Sequence, residues 1–261
     1  MKEIHAVSQE RHGNKRWHRS RDYSFASKDA IVALTIQELP AAMMSTVVAF
    51  VPQNQGFTPV ALQGLLPGRN CLVSAQGKWL ISYVPALYRT YPFLLGRNGD
   101  QEAVLCIDES SNLVSQGNEG ELFFLQDGAP VDVLKEVFMT LLKYEQGQIT
   151  TSALCGLMQK HELFQPWELQ IEKNGEISPV KGLFRIDEAK LNMLLAEALV
   201  ELRNAGALVV AYSQLFSMQL LPYLVKLSQG SGSTNPTEAK LPADFGFTIS
   251  SDDAILNFDN L

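Results

Sequence analysis

The sequence predicts an α+β fold in one globular domain, a mixed or antiparallel sheet in the amino-terminal half packed with a helix-rich carboxyl-terminal half. Three observations predict it. Short β-branched and aromatic runs punctuated by Gly, Pro and Asn fill residues 28–130; the apolar period changes to that of amphipathic helices after residue 131; and the first half holds too few helices to cover its own strands. At 261 residues and 46% hydrophobic content the chain can bury a substantial core, since a domain of this order hides roughly 70–75% of its unfolded surface.

In chain order, residues 1–27 come first. They are polar, carry Lys2, Arg11, Lys15, Arg16, Arg19 and Arg21 together with His5, His12 and His18, and show neither period, which predicts a flexible basic arm. Strands are expected at 30–36, 46–51, 59–63, 79–84, 103–107 and 122–125. Two of them run into proline, at Glu38-Leu39-Pro40-Ala41-Ala42 and Tyr83-Val84-Pro85-Ala86. A proline is tolerated in the first helical turn, where its missing N–H would be unpaired anyway, so each should open a short helix, the second carrying Tyr88 and Arg89 before Pro92.

In the second part, Val133, Leu134, Val137, Phe138, Leu141 and Leu142 keep helical spacing over 132–144, and a separate helix is expected from Thr151. Strands at 167–172 and 183–186 flank the turn signal Asn174-Gly175. Asp187 reads as the N-cap of a helix that stops at Gly206. A buried strand at 208–212 and an amphipathic helix at 215–227, restarted at Pro222, complete the domain at residue 228. Residues 229–261 then open on a Gly/Ser linker and continue as an acidic disordered tail with Phe245, Phe247, Ile255, Leu256 and Phe258.

Charge and cysteine content exclude several classes. The formal net charge of −7 speaks against a general nucleic-acid binder, whose non-specific affinity needs clustered Lys and Arg. Cys71, Cys106 and Cys155 are odd in number, widely spaced and set among apolar neighbours, so they read as reduced buried thiols. No apolar run follows the basic start as in a secretion signal, and no stretch reads as the ~20 apolar residues that cross a bilayer. Cytoplasmic location without membrane insertion is the expectation.

The most distinctive segment spans residues 70–93, where Gly77-Lys78-Trp79, Tyr83-Val84-Pro85-Ala86 and Arg89-Thr90-Tyr91-Pro92-Phe93 follow one another. With Phe25 and Glu38-Leu39-Pro40-Ala41-Ala42 upstream, and Ile186-Asp187-Glu188, Leu191, Leu194 and Ser217 downstream, the chain resembles the bacterial SapC family over about residues 22–228. The resemblance implies an association with surface-layer biogenesis. It brings no established reaction, cofactor or catalytic residue.

Enzyme signatures are absent from the residues themselves: no G-x-S-x-G elbow, no Walker loop, no G-x-G-x-x-G, no H-E-x-x-H and no Cys-x-x-Cys. His161, at the polar end of a helix, reads as a residue favourably placed on the helix dipole. No metal site and no cofactor are expected. The binding candidates are Glu38, Trp79, Tyr83, Arg89 and Tyr91, because aromatic rings and a guanidinium fork anchor binding patches. The competing reading makes Trp79 and Tyr83 core aromatics and Arg89 a tether for a loop carboxylate, with Glu38 its first partner. Three functions stand open: a non-catalytic accessory protein binding a partner protein or peptide, an enzyme of unrecognised type with Glu38, Arg89 and Tyr91 as its polar centre, and a component of the surface array itself.

Overall fold

The runs predicted as strands at 46–51 and 59–63 pair as the hairpin Val47–Gln53 with Gly56–Leu62, in register Val47 to Leu62. This hairpin lies inside a five-stranded antiparallel sheet, ordered Phe164–Pro166, Phe184–Ile186, Val47–Gln53, Gly56–Leu62, Ile31–Ala33, in a computed structural model that describes residues 3–53, 56–173 and 176–229. Alternation sends Val48, Phe50 and Ala61 into one core and Val47, Ala49, Val60 and Leu62 into another. Both faces are covered, which is why Val47-Val48-Ala49-Phe50 is an unbroken apolar run and does not alternate. Two of the five strands come from the second half of the chain, so the α+β domain is one unit whose sheet is not confined to the first half.

One helix, Asp132–Lys160, replaces the two expected there. The gap in the prediction fell at Gln146-Gly147-Gln148, since a mid-helix glycine costs about 1 kcal/mol relative to alanine. Gly147 is buried and faces the end of the edge strand: a Cβ on it would lie 2.6 Å from Gln37 Oε1 and 3.0 Å from the Thr35 side chain. One turn on, Thr151 Oγ1 accepts the Ile36 N–H at 2.8 Å. Close approach of strand end and helix is therefore what the glycine provides.

Three further expectations are corrected between residues 164 and 229. The hairpin partners are Leu169–Lys173 with Glu176–Val180, while Phe184–Ile186 pairs with Phe164–Pro166 and with Phe50 of the central sheet; the Asn174-Gly175 turn lies outside the described residues. Asp187 caps as predicted, its carboxylate accepting the Lys190 N–H, yet the helix divides into Glu188–Asn192 and Ala196–Ala205 before Gly206 ends it at φ +86°. The expected strand at 208–212 is helix Ala207–Ser217. An apolar run of five residues does not distinguish strand from helix by period.

Followed by a 3-10 turn and Leu221–Gln229, that helix makes a stretch, Ala207–Gln229, long and apolar enough by composition to cross a bilayer, at mean hydropathy 1.4. The sequence reading had found no such stretch. Gln214 Oε1 accepts the Ile186 N–H and Ser217 Oγ accepts the Val48 N–H, so the helix ties two strands of the central sheet from within the core.

The basic arm is also corrected. Ile4–Ala6 pairs with Ala103–Asp108, which pairs in turn with Phe93–Arg97; Arg16–Trp17 pairs with Val114–Ser115 and Glu121–Leu122. His12 and Trp17 are buried in a third apolar cluster with Phe93, Phe123, Leu134 and Leu141. The arm's charge is spent on pairing: Arg11 and Lys15 hold Glu109, and Arg19 holds Glu121. Polarity that reads as disorder in composition is polarity matched by acids some hundred residues away. The expected linker and acidic tail, beyond Gln229, lie outside the described residues.

Two helix glycines give opposite expected outcomes. Gly156→Ala, in an exposed position with nothing within 4 Å of a new Cβ, should stabilise by about 0.5–1 kcal/mol. Gly147→Ala should destabilise by about 1–3 kcal/mol, because the crowding at Thr35 and Gln37 outweighs the same propensity gain. Urea midpoints of the two variants check the signs.

Glu109 supplies a pH test. The hydrogen bond from Arg11 and then Lys15 hold its carboxyl at about 2, below its ordinary range. A depressed folded pKa contributes stability above the unfolded value near 4.5 and loses it as pH falls through about 2. With Arg11 at the surface, solvent screening leaves about 1–2 kcal/mol of this. Glu109→Gln should cost that much at pH 7, and the gap from the parent protein should close between pH 5 and pH 2 in denaturation series.

Candidate functional site

The distinctive segment at residues 70–93 is built as a loop folded on itself, not as the strand expected at 79–84. Val73 and Trp79 form an isolated bridge, the Leu80 N–H donates to the Leu72 carbonyl, and Trp79 Nε1 donates to the Tyr83 carbonyl at 2.7 Å. That indole bond closes the chain over four residues, which an extended strand cannot do. Gly77, at φ +73°, is where the loop turns, and a Cβ there would fall 2.1 Å from Asp22 Oδ1. Asn70 is buried at the loop's base; its amide donates to Ala26 O and Gln63 Oε1 and its oxygen accepts the Leu72 N–H.

Glu38 is buried at 7% exposure and saturated. One carboxylate oxygen accepts the Thr35 N–H and the Thr35 hydroxyl; the other accepts the Tyr83 hydroxyl and the Ala86 N–H. The Tyr83 phenol is pushed well above its ordinary value, by burial first and by the Glu38 charge second, and so stays a donor. Burial and the same carboxylate also raise Tyr144. Glu38 thereby joins the end of the edge strand to the turn that starts helix Ala86–Arg89.

The expected Glu38–Arg89 pair does not form. Arg89 ends its four-residue helix exposed, with no hydrogen bond or ion pair to any described residue. Both oxygens of Glu38 are occupied by donors nearer in the chain's path, so the guanidinium is left to the surface.

It faces a cleft of about 340 Å³. Trp17, Tyr23, Tyr88, Tyr91 and Phe93 supply aromatic walls; Val133, Glu136, Val137 and Thr140 of the long helix close the opposite side; Arg19 and Ser20 stand at the arm. Tyr91 is stacked on Phe25 with ring centroids 3.8 Å apart and 10° between planes, and burial raises its phenol, with Asp108 adding to the shift. Tyr88 Oη lies 2.9 Å from both Asp29 Oδ2 and Gln63 Oε1 and is likewise raised, by burial first.

Of the five sequence candidates, Arg89 and Tyr91 line the cleft, while Trp79, Tyr83 and Glu38 form its support: Trp79 packs on Tyr23 and Tyr88, two of the lining rings. The lining residues missed were Tyr88, Thr90 and Phe93 beside the candidates, and those of the arm and the long helix. A signal for the helix was present, since Val133 with Val137 and Glu136 with Thr140 each repeat at i, i+4. The arm gave none, because Trp17 and Tyr23 sit in a segment without period.

The cleft presents two guanidinium groups, one of them paired, an exposed carboxylate at Glu136 and the raised phenols of Tyr88 and Tyr91. Such a composition is chemically suited to an anionic group flanked by apolar or aromatic surface. Among the described residues no group of His, Cys, Asp and Glu could hold a metal ion. The three cysteines are buried and free, and burial pushes the Cys155 thiol to about 12, so it is not a nucleophile. His161 caps the long helix and pairs with Glu201 at 2.8 Å.

A mixed α+β domain with an antiparallel sheet and a glycine-hinged aromatic loop is the class of protein these features define. The chain matches the SapC family model over residues 7–224 and belongs to that family. The match starts within the former arm, consistent with its place in the sheets. No curated protein and no solved structure matches the chain.

Removing the Glu38 carboxylate should cost about 3 kcal/mol or more, since it strands buried donors. In double-mutant cycles Glu38→Gln with Tyr83→Phe should show coupling of about 1–3 kcal/mol, whereas Glu38→Gln with Arg89→Ala should add within about 0.5 kcal/mol. Chemical denaturation of the five variants and parent measures both.

Proposed function

We propose that this protein is a non-catalytic accessory protein of the cytoplasm that binds a partner protein or peptide through the Arg89 cleft, in the service of building the cell surface. The observation that supports it is the exposed, unpartnered Arg89 at an aromatic-walled cleft. A guanidinium is more weakly hydrated than an ammonium and donates two parallel hydrogen bonds to a carboxylate, while the surrounding rings offer apolar area. The net charge of −7 keeps nucleic acid out of the reading. Membership of the SapC family is the support for the link to the cell surface.

An enzyme acting on a small molecule is the second reading, favoured by a cleft volume within the range of small-ligand sites. Against its proposed polar centre stands the position of Glu38, which is consumed in the core and does not line the cleft.

Arg89→Ala tests the proposal with little effect on the fold, because the exposed side chain makes no hydrogen bond or ion pair with any described residue. Tagged full-length parent and variant are used to capture partners from native lysate. One stoichiometric protein retained by the parent and lost at least tenfold in the variant, with an unchanged melting temperature, is the expected result. A co-purifying metabolite without a protein, or equal capture by the variant, overturns it.

A further inference from the structure

An apolar groove lies uncovered on the described surface. It is lined by Met43, Leu208, Val209, Tyr212, Ser213 and Phe216, encloses about 280 Å³, and runs along the exposed side of helix Ala207–Ser217. Phe216 is 58% exposed and Val209 47%, and Tyr212 and Phe216 stack on each other at 5.8 Å without further cover. The opposite side of the same helix is fully packed, with Val210, Ala211, Gln214 and Ser217 buried. Large rings left at the surface beside a packed face are the mark of a surface that something covers.

We propose that the acidic tail of this same chain covers it, docking Phe245 and Phe247 or the Ile255–Phe258 segment into the groove. Three arguments carry this assignment. The first is composition: past the Gly230-Ser231-Gly232-Ser233 linker the tail carries, among its eight large apolar residues, Phe245, Phe247, Ile255, Leu256 and Phe258, which match the groove's chemistry, while Asp244, Asp252, Asp253 and Asp259 beside them keep the segment soluble when undocked. The second is reach. The described chain leaves the core at Gln229, thirteen residues of nearly continuous helix after Phe216, or about 20 Å. A connection of sixteen residues from Gln229 to Phe245, Gly/Ser over residues 230–233 only and with two prolines beyond, has a root-mean-square span of about 20–24 Å or somewhat more, which covers that distance. The third is concentration: a tether of this length holds the tail at an effective concentration on the order of millimolar, so it outcompetes a second copy of the chain at micromolar protein.

The groove shares no lining residue with the Arg89 cleft, and the inference stands whether or not that cleft binds a partner. Because Cys71, Cys106 and Cys155 are buried, a cysteine introduced at the surface can be labelled selectively. Full-length Val209→Cys is treated with a maleimide, beside the same chain with Phe245, Phe247, Ile255, Leu256 and Phe258 all replaced by Ser, and beside a Met139→Cys control pair, Met139 being 52% exposed on the long helix. The expected result is labelling at position 209 at least tenfold slower in the chain with its natural tail, independent of protein concentration, with no difference at position 139. Equal rates at 209 overturn the inference. So does protection that survives the tail substitutions and grows with concentration, which assigns the groove to a second copy, and so does equal protection at both positions.

Discussion

A single buried carboxylate organises this molecule. Glu38 gathers donors from its own strand end, from the aromatic loop and from the backbone that opens the next helix, and each of those elements is irregular. Irregular backbone inside a protein must pair its polar groups somewhere, and a carboxylate with two oxygens is the most compact acceptor available. Two four-residue helices start at this point. Leu39–Ala42 leads to Met43 at the apolar groove, and Ala86–Arg89 leads to the guanidinium at the cleft. Both candidate surfaces therefore hang on one charge, which costs the fold little because every lone pair it exposes to the interior is used.

The Arg89 cleft exists because distant segments close around the loop. Trp17, packed edge-on to Phe93, and Tyr23, packed on Trp79, bring the amino-terminal residues to one wall, and the long helix forms the other. The same closure explains the chemistry. Aromatic residues that support each other bury their hydroxyls and keep them protonated, which removes them as bases and leaves them as donors and apolar area. Arg89 is the group that this packing does not absorb, and an unabsorbed guanidinium beside rings is suited to recognition, not to catalysis.

The central sheet transmits these constraints across the whole domain. Its two faces are covered by different clusters, one tied to the long helix and helix Ala207–Ser217, the other to the strands and last helix of the carboxyl-terminal region. Buried side-chain bonds from Gln214 and Ser217 to strand N–H groups pin that helix in register. With strands drawn from both halves of the chain, neither half has a closed core by itself.

What the sequence by itself determined was the local chemistry: the α+β class, the strands within 46–51 and 59–63, the Pro-initiated turns at Pro40 and Pro85, the Asp187 cap and the Gly206 stop, and the family, through the order of residues 77–93. Each of these rests on neighbours within a few positions, where propensity and capping act. Tertiary structure decided the rest. It made one helix of two because Gly147 faces Thr35, and a helix of residues 208–212 because Gln214 and Ser217 had strand partners to satisfy. It turned the polar arm into strands because its charges meet acids some hundred residues on, and it left Arg89 free because Glu38 was already saturated. Contacts at such separations leave no period in the sequence, and so half of the candidate cleft, from Trp17 and Tyr23 to Glu136, became legible only once the chain was folded.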